Sequence, residues 1–454
     1  MVVLAISVGS IACGGGGDAL DPDATVGAGE DGVGGGPVEV PGRDVTPAEA
    51  GAEMRCGCAS SPELQALSCA SGDGVPITGT GGLELAPSGD IALFTLCYSG
   101  DGQFPVDHCR PFRWTRAGGS EALVEAGLHL GLADDGSALV VATQDDDPRE
   151  TLLLVERDGT RTGVPLGSAA RLSADGRYVV GFAPPSPSPN GPGVQKTQPT
   201  FNLDPLARWS LADGLETLGE PADGLGLIDA TVLDVAADAS VIVGMGYDVS
   251  DGTLRGQATM LYTAQRGLQR PEGLPSGEDV TLGVVSRDGS AFAGLASLNR
   301  NEDLAQAFYW TSSGGSRNIT TANPTGGVAF YQALSDDGLV LAGTGWLPDA
   351  ARHRVYRWTA EGLTWLGPDD ASSRIADMTA DGALVLGTLI DAEQGFIASP
   401  GETRRLNDLL EHASLDSTGW ELKAPLRISD DGKVVFGSAL CGGMPTVYRW
   451  VLPE

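Results

Sequence analysis

The groups able to do chemistry are few in kind and scattered along the chain. Of 454 residues, 60 are acidic and 28 basic, with four histidines and seven cysteines. His108, His129, His353 and His412 share no spacing, so the sequence pairs none of them with an orienting partner as a general base. No Gly-x-Ser-x-Gly elbow and no His-Glu-x-x-His helix occurs. Gly432-Lys433 is followed by Val434, which leaves a phosphate loop incomplete. Carboxylates are plentiful enough for folding to bring two together for glycoside cleavage, but abundance names no pair. Cys56 and Cys58 with His108 make the sharpest metal set, yet the paired C-x-x-C units of zinc sites are missing. Asp145, Asp146 and Asp147 are where calcium would fit best, without the alternating ligand spacing of an EF-hand loop. No catalytic residue, metal or cofactor is therefore expected.

The charge is −32, with an isoelectric point near 4.3 and no basic stripe to neutralise phosphates, which argues against nucleic-acid partners. The amino terminus, "MVVLAISVGSIAC", is a short apolar run ending in small residues and Cys13, too short to span a bilayer. It resembles a bacterial lipoprotein signal (residues 1–13). That resemblance implies lipidation of Cys13, and Gly14 after it implies an outer-membrane address. Residues 14–50 are Gly, Asp, Glu, Pro and Ala with no aromatic residue, and read as a flexible acidic tether. Residues 51–82 are a cysteine-bearing lead-in, and residues 83–454 hold the main domain.

In an exported protein the six remaining cysteines are expected in disulfides. Cys97 and Cys109 bracket one loop at neighbouring strand ends and are expected to pair. Cys441 lies at a nearly equivalent point in the last repeat and has Cys56, Cys58 and Cys69 as candidate partners. The sequence does not choose among them.

That placement depends on the repeats. "LSADGRYVVG" at 172–181 returns as "VSRDGSAFAG", "LSDDGLVLAG", "MTADGALVLG" and "ISDDGKVVFG". Corners such as Asp175-Gly176 and Asp337-Gly338, or their relics, recur at intervals of mostly about 40 to 50 residues, the period of four-stranded propeller blades. Asp-Gly here is turn chemistry: aspartate bonds its local backbone and glycine accepts positive φ. A second hairpin carries Trp114, Trp209, Trp310, Trp358 or Trp450 at one position in five units and Tyr262 in a sixth, the second and seventh units lacking it, and this position is read as packing between blades. The fold expected is all-β: a propeller of four-stranded antiparallel blades, eight in number with seven as the alternative. Because the last unit ends after its third strand, an amino-terminal strand must close the ring, and "GVPITGT" at 74–80 is the expected donor.

The phrases "AFYWTSSGGSRNI", "YRWTAEGLTWLG…ADGALVLGT" and "LNDLL…GWELKAPLRISDDGKVVFG" resemble the HAF-repeat family of bacterial extracellular repeat proteins, over residues 83–454. The resemblance implies a repeat-built extracellular domain and brings no catalytic residues with it. The hairpins also resemble, more weakly, TolB-like propeller repeats.

Function is then expected where the repeats disagree. The connections between the second and third strands (B–C) vary in length and chemistry, whereas the A–B and C–D turns are short and repetitive. Candidate binding residues on those loops are Asp145, Asp146, Asp147, Tyr247, Asp248, Asp251, Arg300, Trp346, Arg352 and Arg354. The expected protein is a lipid-anchored, monomeric binding module of the outer envelope, taking a protein or glycan partner. The rivals are a propeller hydrolase or lyase acting on extracellular polysaccharide or peptide, and a structural component of a surface assembly. Carboxylates converging on a central channel would favour the enzyme.

Overall fold

The computed structural model describes residues 58, 61–67, 82–97, 109–144, 147–167, 170–183, 205–219, 227–248, 256–269, 271, 279–297, 305–311, 313–319, 329–347 and 351–453. The expectations for Cys13, for residues 14–50, and for Cys56 and Cys69 lie outside them. The strands form eight four-stranded antiparallel sheets. The first strand of each sheet touches that of the next, and the last touches the first, so the sheets close into an eight-bladed β-propeller. The blades span residues 83–122, 127–163, 171–217, 227–269, 279–318, 329–366, 373–405 and 420–451, numbered 1 to 8.

Blade 8 takes its outer strand from the other end of the chain. Leu64–Ala66 pairs antiparallel with Met444–Val451, placing Leu64 opposite Trp450. The closing strand is thus this segment and not residues 74–80, which lie outside the described residues. The reason is apolar side-chain content: Leu64 is 1% exposed in a cluster with Trp450 and Ile397. The Leu67 amide extends the ladder to the Val447 carbonyl at 2.8 Å.

Why the corners repeat is visible in their hydrogen bonds. Asp175 Oδ1 accepts from the Ser173 hydroxyl at 2.7 Å and the Arg177 amide at 3.0 Å, while Tyr178 donates its amide to Ser173. The same arrangement recurs at Asp337, Asp381 and Asp431. At Asp381 the Ala383 amide and the Thr379 hydroxyl hold the carboxyl below its ordinary value. The corner is self-satisfied.

The corner glycine is also a junction. Gly338 has φ +68°, and a Cβ there would lie 2.6 Å from the Ala291 Cβ of blade 5. Only glycine meets both demands without strain. Its carbonyl accepts from the Tyr309 hydroxyl of blade 5 at 2.7 Å. Arg113 in blade 1 and Arg357 in blade 6 reach the next corner likewise, donating to Gly136 and Gly382.

The position after these donors carries the tryptophans, and they too face the neighbouring blade. Trp114 meets Phe436 of blade 8 with centroids 5.9 Å apart, and Trp358 meets Tyr309 at 4.8 Å. Trp209 packs with Leu139, Leu152 and Leu154 of blade 2, and Trp450 with Leu386 and Ile397 of blade 7. Trp310 stacks on Phe292 in its own blade, in a cluster with Val243 and Leu261 of blade 4. Each indole removes a large apolar area from water between adjacent sheets.

Among the described residues two disulfides lie near the ring closure. Cys97 bonds Cys109 across the ends of two paired strands, closing the B–C loop of blade 1. Cys58 bonds Cys441, tying the amino-terminal segment to blade 8. Disulfides persist in oxidising compartments, so they point to an extracytoplasmic location. Among the described residues no helix is long and apolar enough to cross a membrane.

Candidate functional site

Two regions bring polar groups together: the propeller axis, and the B–C edge of blade 6.

On the axis, one sequence position, five residues before the second corner residue (Gly89, Gly176, Ala239, Gly382 and Gly432), supplies Glu84, Arg171, Asp234, Asp377 and Arg427 from five different blades. Asp234 accepts from the Val235 amide at 2.8 Å and from the Val285 amide of the next blade at 2.8 Å. Asp377 accepts from the Ile428 amide of blade 8 at 2.9 Å, and Glu84 from the Leu132 amide of blade 2. Burial pushes all three carboxyls up, with Asp234 reaching about 6 against the pull of those amides. For Glu84 and Asp377, Arg427 is the first of the groups acting the other way.

One level out, the residue before each corner aspartate rims the axis. Main-chain bonds cross here from blade to blade, as from the Asp134 amide to Ala174 (2.8 Å), Ala237 to Arg287 (2.9 Å) and Asp336 to Ala380 (2.9 Å). Asp175 to Ala237, Asp288 to Asp336 and Asp430 to Pro87 complete the series. The junction from blade 1 to blade 2 lacks such a bond because Pro87 has no N–H. The Leu132 amide there acts to lower the Glu84 carboxyl, and the blade 7–8 junction is bridged by Asp377. Arg287 then reaches across the mouth to Asp134 of blade 2 and Asp336 of blade 6. Asp430 is pushed up to about 6, by burial first and then by Asp336. The carboxylates do converge on the axis. Most are already engaged in holding neighbouring blades together, with Arg287 as a built-in cation. Among the described residues no group of three or more His, Cys, Asp or Glu is placed to hold a metal ion.

At the opposite end of the strands lies the B–C rim. Asp145, Asp146, Asp251 and Arg300 fall outside the described residues. Asp147, Tyr247 and Asp248 open or end strands (Asp147–Val155 and Val241–Asp248), with only their backbone described. The structure brings Trp346, Arg352 and Arg354 to one edge. In the ladder of blade 6, Trp346 faces His353 and Leu347 faces Arg352. The Trp346 and His353 rings meet edge to face with centroids 4.9 Å apart. Ala351, just before Arg352, has φ 47°, a left-handed conformation uncommon for alanine that concentrates where function imposes strain.

The two arginines differ in state. Arg354 is spent on the fold: it donates to the Leu366 and Gly367 carbonyls and pairs with Asp369. The Arg352 side chain makes no hydrogen bond or ion pair among the described residues, and its Nε is shielded from solvent without a partner. His353 Nδ1 is in the same condition, and burial lowers the imidazole pKa, so the ring is neutral near pH 7. As successive strand residues the two face opposite sides of the sheet, and Arg449 Nε and Trp450 Nε1 are likewise shielded without partners within blade 8.

His353 is the member of this edge that the sequence did not single out. Its nearest signal was position: it sits between Arg352 and Arg354 on a loop already chosen for variability. The other described histidines are spoken for. His129 is buried, its Nδ1 2.6 Å from the Thr95 hydroxyl, and His412 bonds the Asp408 carbonyl on the short helix Leu406–His412. An open groove of about 410 Å³ lies beside that helix, lined by Pro368, Thr403, Arg404, Arg405, Asp408 and His412.

No family model matches the chain, and no curated protein does. The fold defines the class, an eight-bladed β-propeller, and solved propellers are similar at low identity. An oligogalacturonate lyase in complex with manganese is 16% identical with a TM-score of 0.45, covering 72% of this chain and 89% of its own. Acinetobacter baumannii TolB is 12% identical with a TM-score of 0.37, over 62% and 64%. Porphyromonas gingivalis dipeptidyl peptidase 4 is 13% identical with a TM-score of 0.46, over 74% of this chain and 52% of the peptidase. The chain thus spans about half the length of that peptidase. The lyase, TolB and peptidase names on similar propellers specify no activity here.

Proposed function

We propose that the protein is a binding module of the bacterial envelope that engages its partner through the B–C rim. The observation that carries this reading is the blade 6 edge, where the Trp346 ring packs edge to face on His353, whose Nδ1 is shielded without a partner, while Arg352 lies at the same rim on the opposite face of the sheet. Invariant corners and inter-blade bonds make the rest of each blade a rigid frame, and such frames commonly present recognition on their variable loops. The signal-like amino terminus and the tether after Cys13 fit a lipid-anchored outer-membrane protein, and its repeats fit the HAF-repeat family. The test is capture from envelope extracts together with a glycan array, comparing wild type with Trp346→Ala/Arg352→Gln. The same profile from both proteins removes the edge from consideration. Recovery of an unmodified amino terminus by mass spectrometry of the mature protein removes the anchor.

A second reading has one observation behind it. Asp430, pushed up to about 6 at the axial mouth, has the proton affinity a general acid needs, as a propeller hydrolase or lyase would require. Asp430→Asn decides it: loss of turnover on any polysaccharide or peptide that the wild type degrades would carry this reading forward.

A further inference from the structure

We propose that the groove along the outer strand of blade 7 binds the carboxyl-terminal residues of a partner peptide, laid down as a fifth strand. Glu402–Arg405 is the last strand of its sheet, paired with Gln394–Ser399 on one side and with nothing on the other among the described residues. Thr403, Arg404 and Arg405 all line the groove, although successive strand residues point to opposite faces of a sheet. A hollow that touches all three runs along the open edge of the strand, where alternate residues turn N–H and C=O outward. An extended peptide satisfies such an edge with its own main chain. Pro368, on the connection between blades 6 and 7, forms part of the other wall, so the groove opens on the same rim as the B–C loops but apart from the Trp346 edge.

Charge selects a chain end. Arg405 is half-buried, and its side chain has no hydrogen bond or ion pair among the described residues, whereas Arg404 pairs with Glu402 at 3.4 Å. The Arg405 guanidinium is a planar fork that matches a carboxylate with two parallel hydrogen bonds. The strand passes directly into the helix Leu406–His412, which adds Asp408, Leu409 and His412 to the lining. A chain laid along the edge meets the helix beside Arg405, which suits a terminus better than a through-running segment. His412 Nδ1 lies 2.6 Å from the Asp408 carbonyl; a carbonyl only accepts, so this nitrogen donates and a neutral ring keeps Nε2 as an acceptor. Nε2 and the Asp408 carboxylate then suit peptide N–H groups, and Pro368 and Leu409 offer apolar contact to a side chain. The groove is open, so the rest of a longer chain can leave it. At −32 the protein repels densely acidic partners, and one terminal carboxylate carries little of that penalty.

The experiment titrates acetyl-Thr-Val-Leu, as the free acid and as the carboxamide, into the full chain by ligand-observed NMR. The acid should bind about 10- to 100-fold more tightly, the range of a hydrogen bond to a charged group. Arg405→Gln brings the acid down to the amide level, and a urea melt verifies that this variant is folded. N-methylation of Val or of Leu in the acid should abolish binding in at least one position, because alternate N–H groups face the strand edge. Equal affinity of acid and amide, or an acid preference that survives in folded Arg405→Gln, overturns the carboxylate site. Tolerance of both N-methyl groups overturns the strand pairing. N-acetyl-leucine binding as tightly as the tripeptide would make the groove a small-molecule site and overturn the peptide. Self-association of wild type that is lost in Arg405→Gln would assign the groove to a second copy of this chain, against the proposal. Trp346→Ala/Arg352→Gln should keep tripeptide binding whatever it does to envelope capture; loss of that binding in the folded variant overturns the placement on blade 7.

Discussion

The main-chain amide of Val285 in blade 5 donates to Asp234 Oδ2 in blade 4 at 2.8 Å. Ile428 makes the same bond to Asp377 across the blade 7–8 junction at 2.9 Å. Both acids occupy the position five residues before the second corner residue, Ala239 and Gly382, so the repeat places a carboxylate where the next blade offers a free N–H. At the blade 4–5 junction the Ala237–Arg287 main-chain bond shares the load, whereas the axial bridge from blade 7 to blade 8 is Asp377 itself.

Asp377→Ala is therefore expected to destabilise the ring more than Asp234→Ala. An amide left unsatisfied in a buried setting costs about 1–3 kcal/mol. Asp377→Asn keeps an acceptor and removes a buried charge, so its loss is smaller. Urea unfolding of the three variants checks the order.

Mild acid stabilises the fold. Asp234 and Asp430 have folded pKa values of about 6, above the roughly 3.9 of an unfolded aspartate. As pH falls through about 6 the folded chain takes up protons that the unfolded chain does not, so unfolding free energy rises until pH nears 4. The corner carboxyls Asp238, Asp288, Asp381 and Asp431 are shifted down, and their contribution is lost only at lower pH. The urea midpoint should be higher at pH 5 than at pH 7.5, with a flatter dependence in Asp234→Asn/Asp430→Asn. A midpoint that falls over this interval contradicts the assignment.

Removing the Cys58–Cys441 disulfide should cost more than removing Cys97–Cys109. The bonds join residues 383 and 12 apart in sequence, and loop-closure entropy gives about 5–6 kcal/mol for the first against about 3 for the second. Paired Cys→Ser variants, compared by urea melts, test this. Hydrogen exchange of Leu64–Ala66 should quicken in the first pair and not in the second.

Gly338→Ala should destabilise by about 1–2 kcal/mol for the left-handed backbone alone, with more for the contact against Ala291. Tyr309→Phe, which leaves the backbone alone and deletes the bond to the Gly338 carbonyl, should cost about 1 kcal/mol. Together they separate the corner's two roles in the junction, read from denaturation midpoints.

What the sequence determined by itself was local and periodic. Asp-Gly corners, alternating apolar strands and a tryptophan position shared by five repeats are written within short windows, and they specify blades, turns and the surfaces that neighbouring blades share. Cys97 with Cys109 was legible because the two residues end adjacent strands of one hairpin. What the tertiary structure decided involves residues far apart in sequence but joined by the ring. Leu64–Ala66 closes blade 8 because ring closure puts it beside Met444–Val451, and a three-residue strand carries almost no periodic signal. Cys58 is chosen for Cys441 by the same closure. Glu84, Asp234 and Asp377 look like ordinary strand acids until eight blades bring one repeat position around a common axis. Arg352 and Arg354 are chemically alike in the sequence. Only the fold gives Arg354 carbonyls and Asp369 to bind, and leaves the Arg352 Nε shielded without a partner.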